Sequence, residues 1–161
     1  MKIAILSDIH DNQTRLGEAL TICAKEKIET CICCGDVGSL ATAQMIFDSF
    51  RNVYFALGNA DFNLRDKTGL FSENVIYNED FLEIKIDGLK IAAVHHDYKA
   101  RSLAEAKRYD VVFYGHTHTP WKKKIKKTTI LNPGEISGQF GRASFAIFDT
   151  KTQKAILKII D

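Results

Sequence analysis

The chain has 161 residues, of which 45% are apolar and 26% are charged, and its formal net charge is only +2. This length and composition predict a single globular domain, residues 1–161, with a sizeable buried core. They exclude a membrane-spanning protein, because no apolar run approaches the roughly 20 residues of a spanning helix. So small a net charge also makes a nucleic-acid partner unexpected.

All four cysteines lie between Cys23 and Cys34, on a predicted helix and the strand that follows it. Disulfides are not expected in that layout, and the N-terminal segment turns polar at Ser7, which is not typical of a signal peptide. A zinc site formed by Cys31, Cys33 and Cys34 is disfavoured, because successive strand positions point to opposite faces. Buried free thiols in a cytoplasmic protein are the better interpretation.

The first sixty residues alternate apolar strands with amphipathic helices. Strands are predicted at residues 3–6, 30–34 and 53–57, and helices at residues 12–27 and 40–50. This alternation is typical of right-handed crossovers and a parallel sheet. Each strand runs into a polar turn, and these turns contain Asp8 with His10, then Asp36, then Asn59. The carboxyl ends of parallel strands share one edge, where ligands usually bind.

The second half of the chain is richer in strands. Strands are predicted at residues 74–77, 81–86, 89–94, 110–114, 121–127, 128–131, 143–149 and 155–160, with one helix at 100–109. Asp87 and Gly88 are predicted to form a hairpin turn between two of these strands. Two of the strands end at histidines: His95, His96, His116 and His118.

Seven side chains of metal-ligand type thus follow predicted strands: Asp8, His10, Asp36, Asn59, His95, His116 and His118. Asp8 and His10 are two positions apart, a spacing that points both side chains the same way, and the last two histidines repeat it. Oxygen anions with imidazoles suit Mn, Fe, Co, Ni or Zn better than Ca or Mg. Two ions that share a carboxylate would use all seven. The alternative is a set of separately hydrogen-bonded loop residues.

The ordered motifs resemble those of the calcineurin-like metallophosphoesterases. They are Asp8-x-His10, Gly35-Asp36, Gly58-Asn59, His95 and Gly115-His116-Thr117-His118. The short length and the turn at Asn132-Pro133-Gly134 are similar to the small YfcE-like phosphodiesterase branch. The resemblance implies an α/β fold, a four-layer αββα sandwich of two mixed β-sheets flanked by helices. It also implies that one metal would be held by Asp8, His10, Asp36 and His118, and the other by Asp36 as a bridge, Asn59, His95 and His116.

The activity that this resemblance implies is that of a dinuclear phosphodiesterase, which attacks small phosphate esters with a hydroxide that bridges two metal ions. Asp36 and Asn59 would then serve catalysis as well as metal binding. Manganese is the expected metal, with nickel, iron, cobalt and zinc as alternatives. The alternative function is a metal-binding protein-interaction scaffold of the retromer-subunit type. Relatives often dimerise, which leaves a homodimer open.

One departure from the family pattern concerns the leaving group. Relatives usually carry a His where this chain has Ala60, and that His would protonate the leaving group. Losing a general acid typically costs about 10²–10⁴-fold in rate. We therefore predict a phosphodiesterase that favours good leaving groups, or a proton donor from elsewhere, for which His96 is the candidate.

Two further departures concern the surroundings of the ligands. Relatives usually have His-Gly where this chain has His95-His96, and the distance after the strand favours His95 as the ligand. The acidic residue that usually follows the Asp36 motif is absent. Asp61 and Asp97 are the candidates to hold the imidazoles in their ligating tautomer, because each lies near a candidate ligand in sequence.

A basic run follows the last histidine pair: Lys122, Lys123, Lys124, Lys126 and Lys127. The preferred interpretation is a solvated edge strand whose lysines block aggregation. The alternative is attraction of a phosphate-bearing substrate. Only Trp121 supplies an aromatic ring near the run, which disfavours nucleic-acid binding.

Overall fold

Two β-sheets form the centre of the computed structural model, which describes residues 1–160. The strands are β1 (Lys2–Leu6), β2 (Thr30–Cys33), β3 (Asn52–Ala56), β4 (Val75–Asn78), β5 (Phe81–Ile86), β6 (Leu89–Val94), β7 (Val111–Phe113), β8 (Trp121–Ile125), β9 (Thr128–Asn132), β10 (Ser144–Asp149) and β11 (Lys154–Ile159). The helices are α1 (Gln13–Lys25), α2 (Leu40–Ser49), α3 (Phe62–Arg65) and α4 (Asp97–Glu105), with single 3₁₀ turns at Asn59–Asp61 and Thr68–Leu70.

Both sheets are mixed. The six-stranded sheet has the order β11-β10-β1-β2-β3-β4, in which β1 to β4 run parallel. Strand β10 is antiparallel to β1, and β11 is antiparallel to β10. The five-stranded sheet has the order β5-β6-β7-β9-β8, with a parallel centre and antiparallel edges. The parallel sheet predicted for the first half of the chain is confirmed.

Three buried apolar clusters separate the layers of the molecule. Ala4 and Leu6 of β1 pack with buried residues of α1 and α2. Ile3 and Ile5, on the opposite face of β1, pack against apolar residues of the second sheet. The outer face of the second sheet packs against Ala100 and its neighbours on α4. These clusters confirm the four-layer αββα sandwich, since helices cover the outer face of each sheet.

Local signals explain where the helices begin. The side chain of Asn12 accepts a hydrogen bond from the backbone N–H of Arg15 and so caps α1. Helix α4 begins at Asp97, three residues before the prediction, because the apolar periodicity becomes visible only at Ala100. The segment after β3 forms two 3₁₀ turns and α3, which were not predicted.

All four cysteines are free and buried, as predicted. Cys31 and Cys33 face the helical layer, whereas Cys34 faces the second sheet. Burial raises the pKa of the Cys23 thiol to about 12 and raises that of Cys31 well above its usual range. These thiols are therefore packing groups of low reactivity.

Strand β8 lies at the edge of the second sheet, where the sequence predicted it. Lys122, Lys123 and Lys124 on this strand are exposed. The charged side chains block pairing with another strand. Among residues 1–160, no helix is both long enough and apolar enough to cross a membrane.

Candidate metal centre

The carboxyl ends of β1, β2, β3, β6 and β7 meet at one place and bring the seven predicted ligand-type side chains together. We refer to these side chains as the polar cluster: Asp8, His10, Asp36, Asn59, His95, His116 and His118. Each follows its strand directly or within a few residues, so the convergence results from strand order rather than from sequence proximity.

Asp36 lies between the two halves of the polar cluster. Its Oδ2 atom is 3.3 Å from Nε2 of His95 and 3.7 Å from Nε2 of His10. Its other oxygen accepts a hydrogen bond from the backbone N–H of Ala60 at 2.7 Å. Only 2% of Asp36 is exposed. A single buried carboxylate therefore faces imidazoles on both sides.

Asp8 occupies a fully buried position beside the last histidine pair. Its Oδ1 atom lies 3.5 Å from Nε2 of His118. The backbone N–H of His116 donates to both carboxylate oxygens, at 3.2 and 3.1 Å. The loop after β7 is thus held directly to the end of β1.

The tautomer of His95 follows from its partners. Its Nδ1 atom lies 2.8 Å from the carbonyl oxygen of Cys34, which only accepts, so Nδ1 carries the proton. The lone pair of Nε2 then faces Oδ1 of Asn59, at 3.0 Å, and Oδ2 of Asp36. Three atoms with lone pairs therefore face one another, which is unfavourable unless a cation lies between them or a second proton binds to His95.

Glu135 fixes the second imidazole and was missed by the sequence analysis. Its Oε2 atom accepts from Nδ1 of His118 at 2.8 Å, which leaves Nε2 of that ring unprotonated toward Asp8. The carboxylate is fully buried, and its hydrogen bonds lower its pKa to about 2 although burial opposes this. The only signal in the sequence was its position directly after the Asn132-Pro133-Gly134 turn.

The prediction that Asp61 and Asp97 orient imidazoles is wrong. Asp61 instead accepts four backbone N–H groups, from residues 36, 37, 38 and 58, at 2.7 to 3.0 Å. The nearest ion-pair partner of Asp97 is Arg101, one helical turn away. Asp61 follows β3 rather than β2, yet it supports the loop after β2 where the sequence lacks the usual acidic residue. It therefore positions the backbone around Asp36, and the imidazoles are held by Glu135 and a carbonyl.

The loops that carry the polar cluster are conformationally restricted. Five of the seven residues have positive φ angles: Asp8, His10, Asp36, His116 and His118. Two glycines allow the loops to approach one another. A Cβ atom at Gly58 would lie 2.2 Å from Oδ1 of Asp36, and one at Gly115 would lie 1.9 Å from Oγ of Ser7. Strained backbone of this kind concentrates at functional sites.

The chemistry of the polar cluster fits divalent metal ions. Ligand-type atoms at this place form three groups, each within 4.8 Å: Asp8, His10 and His118; Asp8, Asp36 and His95; and a third in which the adjoining His96 joins His95 and His116. The Nε2 atom of His10 is buried without a hydrogen-bond partner among the described residues. Buried polar atoms almost always have a hydrogen-bond partner. A buried imidazole nitrogen without one is therefore suited to bind a cation.

Electrostatics within the polar cluster also favour a positive charge. Burial raises the pKa of Asp8. Burial acts in the same direction on Asp36, but the hydrogen bond and charge of His95 outweigh it and lower that pKa. Asp36 in turn raises the pKa of His95, although burial alone would lower it. The charge on Asp36 is therefore stabilised by its imidazole neighbour, whereas the charge on Asp8 is not fully compensated, and a cation beside Asp8 would supply that compensation.

His96 lies beside the polar cluster rather than inside it. Its ring is 4.6 Å from that of His116 and stacks on Tyr98 at 5.4 Å. Burial and the neighbouring histidines lower its pKa. His95 is 1% exposed and directed at Asp36, whereas His96 is half-buried. His95 is therefore the more buried of the two, although both have ligand atoms within 4.8 Å of those of His116.

Ala60 opens a cleft beside the polar cluster. The cleft has a volume of about 350 Å³ and is lined by His10, Asp11, Gly38, Ser39, Leu40, Ala60, Asn63 and Lys67. Asp11 is already bonded to Ser39 and Thr42, so its carboxylate belongs to the wall. The space is adjacent to His10 and is large enough for a substituent of a small ester.

The fold and the polar cluster together have the features of a metallophosphoesterase. The model of the calcineurin-like phosphoesterase superfamily domain matches residues 1–153, and the chain belongs to this superfamily. It is also 34% identical over 164 residues to a phosphodiesterase of Methanocaldococcus jannaschii, and the match covers 96% of both chains. The protein is therefore a metal-dependent phosphoesterase.

Solved structures agree with this assignment. An archaeal phosphodiesterase has a TM-score of 0.88 and 32% identity, with 99% of this chain and 100% of the other covered. Two structures with lower identity share the fold alone. These are the phosphoesterase Yfce of E. coli (TM-score 0.71, 18% identity, all of both chains) and Vps29 of Entamoeba histolytica (TM-score 0.73, 17% identity, all of both chains).

Proposed function

We propose that this chain is a dinuclear phosphodiesterase that hydrolyses small phosphate diesters. The observation that carries the proposal is the position of Asp36, whose carboxylate faces His95 on one side and His10 on the other. A carboxylate shared by two ions is the usual arrangement in two-metal hydrolytic sites. The phosphodiesterase of Methanocaldococcus jannaschii, at 34% identity, supports the same substrate class.

The proposed ligands divide into two sets around Asp36. The first set comprises Asp8, His10 and His118, with Asp36. The second set comprises Asn59, His95 and His116, again with Asp36. Each set combines oxygen with imidazole nitrogen, which supports manganese as the metal, with nickel, iron, cobalt and zinc as alternatives.

The residues around the metals prepare the ligands for binding. A pair of divalent ions supplies an activated water molecule as nucleophile and neutralises phosphoryl oxygens. Glu135 holds the Nδ1 proton of His118, and the carbonyl oxygen of Cys34 holds that of His95. The Nε2 atoms of both rings thereby face the site before any ion arrives. We propose a cytoplasmic location, which the four free thiols support.

Protonation of the leaving group is the weak point of this site. Ala60 provides no proton, so alkoxide leaving groups should depart slowly. His96 is the proposed replacement donor because its ring lies 4.6 Å from that of His116. Since burial and the neighbouring histidines lower its pKa, it would donate best at acidic pH. We therefore propose a preference for diesters with acidic leaving groups.

The test is hydrolysis of bis-p-nitrophenyl phosphate with added Mn²⁺ or Ni²⁺, combined with metal analysis of the purified protein by mass spectrometry. Asp36→Asn keeps the size of the side chain but removes its charge, and should lower kcat/KM by at least about 10²-fold. Asp48→Asn, on the exposed face of α2, is the matched control. No hydrolysis with any metal would overturn the proposal and favour the interaction scaffold. Hydrolysis without metal, or equal activity of Asp36→Asn, would overturn the dinuclear site built on Asp36.

A further inference from the structure

Two large aromatic side chains are exposed beside the polar cluster. Phe140 is 80% exposed, and its ring meets that of His118 edge-on at 4.9 Å. Tyr98 is 60% exposed, and its ring stacks on that of His96 at 5.4 Å. Both are therefore in contact with the imidazoles of the site while most of their surface faces solvent.

Phe140 and Tyr98 are the two end members of a chain of contacts that passes through the site. Starting from Phe140, the sequence of neighbours runs through His118, His10, Asp36, His95 and His96 to Tyr98. A phosphate held by metal ions on either side of Asp36 would thus lie between the two exposed rings. The two ester substituents of a diester extend away from phosphorus in different directions, so each can reach a ring.

The position of Phe140 is determined by the same carboxylate that orients His118. Glu135 accepts from the backbone N–H groups of Gln139, Phe140 and Gly141, at 3.0, 2.8 and 2.6 Å. Because Glu135 is fully buried, this loop is tied to the interior of the molecule. The backbone that carries Phe140 is therefore anchored, and its ring contacts the imidazole of His118.

We propose that Phe140 and Tyr98 are stacking surfaces that give the enzyme a preference for phosphodiesters with a planar aromatic substituent, a nucleoside or an aryl group. This inference rests on the proposed phosphodiesterase function. Every nucleobase and aryl group has a π face that stacks on an aromatic side chain. Stacking without hydrogen-bond readout discriminates planar from non-planar substituents but not one base from another.

The test compares three diesters that share p-nitrophenolate as leaving group and differ in the second substituent: thymidine 5′-yl, phenyl and methyl. Values of kcat/KM are measured with Mn²⁺ for the wild type and for each variant. Phe140→Ala should lower kcat/KM about 5- to 150-fold for the thymidine and phenyl esters, as loss of a stacked ring does elsewhere. The methyl ester keeps only the p-nitrophenyl ring of the leaving group, so any loss it shows measures stacking of that ring, and the loss for the thymidine and phenyl esters should be clearly larger.

Two further variants separate stacking from structure. Phe140→Leu keeps an apolar side chain against His118 but removes the planar face, so it should reproduce the selective loss. Tyr98→Phe should retain the preference for planar esters, whereas Tyr98→Leu should reduce it. Ile156→Ala, at an exposed position of β11 outside the site, is the control.

The possible results are distinguishable. A loss confined to the thymidine ester supports nucleoside substrates, and an equal loss for thymidine and phenyl esters supports planar groups in general. An equal effect of Phe140→Ala on all three esters overturns the inference, while hydrolysis by the wild type leaves the proposed function intact. If the wild type hydrolyses none of the three with any metal, the proposed function fails, and this inference fails with it.

Discussion

The Nδ1 atom of His118 lies 2.8 Å from Oε2 of Glu135, a residue 17 positions further along the chain and fully buried. This contact joins the loop after β7 to the loop before β10. Since Glu135 also accepts the backbone N–H groups that place Phe140, one carboxylate organises both an imidazole and an exposed ring.

Replacing Glu135 by Gln should weaken metal binding without removing any proposed ligand. The amide is a poorer acceptor than the carboxylate for the Nδ1 proton, so the imidazole of His118 loses both basicity and orientation. Loss of such a partner typically costs about 10- to 100-fold in metal affinity. Titration with Mn²⁺, followed by calorimetry, measures the change. Glu26→Gln, in a surface ion pair, is the control. Equal affinities for Mn²⁺ would contradict the role given to Glu135.

Replacing Asp61 by Ala should destabilise the fold. Four backbone N–H groups would lose their acceptor, and each buried group left unpaired costs about 1–3 kcal/mol where water does not replace the partner. Urea unfolding followed by circular dichroism measures the free energy of unfolding. Asp97→Ala should change it little, because Asp97 is paired only loosely, at 3.8 Å, with Arg101. Comparable losses for both variants would refute the assignment.

Introducing a proton donor by Ala60→His should broaden the range of leaving groups. The cleft of about 350 Å³ beside Ala60 has room for an imidazole. For diphenyl phosphate, whose leaving group is poor, we expect kcat to rise by up to about 10²-fold. For bis-p-nitrophenyl phosphate we expect little change, because its leaving group needs no proton. Ala60→Asn supplies a polar side chain without acid function, and the same gain in that variant would rule out proton donation.

The buried thiols should be unreactive in the folded protein. Burial raises the pKa of Cys23 from 9.0 to about 12, which lowers its thiolate fraction near pH 8 about 10³-fold. Disulfide-exchange reagents should therefore label the chain only slowly in native buffer, and label four thiols in urea. The pKa of Cys23 is higher in the folded than in the unfolded state. Its contribution to the free energy of unfolding is therefore complete below pH 9 and is lost as the pH rises toward 12. Cys23→Ala should lessen that loss, and rapid labelling of the native protein would contradict it.

Much of the site could be predicted because strand order determines it. Apolar runs at β1, β2, β3, β6 and β7 are readable from the sequence, and parallel strands necessarily bring their carboxyl ends together. Nothing comparable marks Glu135, whose partner His118 is brought to it by tertiary packing. Asp61 was correctly singled out by its position but given the wrong partners, because hydrogen bonds to backbone leave no trace in residue type. The short helices between β3 and β4 lack the length that makes periodicity visible.

The left-handed backbone at Asp8, His10, Asp36, His116 and His118 sets a limit on how this protein can be improved. Each non-glycine residue in that region costs roughly 1–2 kcal/mol relative to the ordinary helical conformation. A library selected for heat resistance alone should therefore drift toward glycine and asparagine at these positions and lose its chemistry in doing so. Robustness and activity are in direct competition at these positions, so engineering for durability should leave these loops untouched and work on the helices instead.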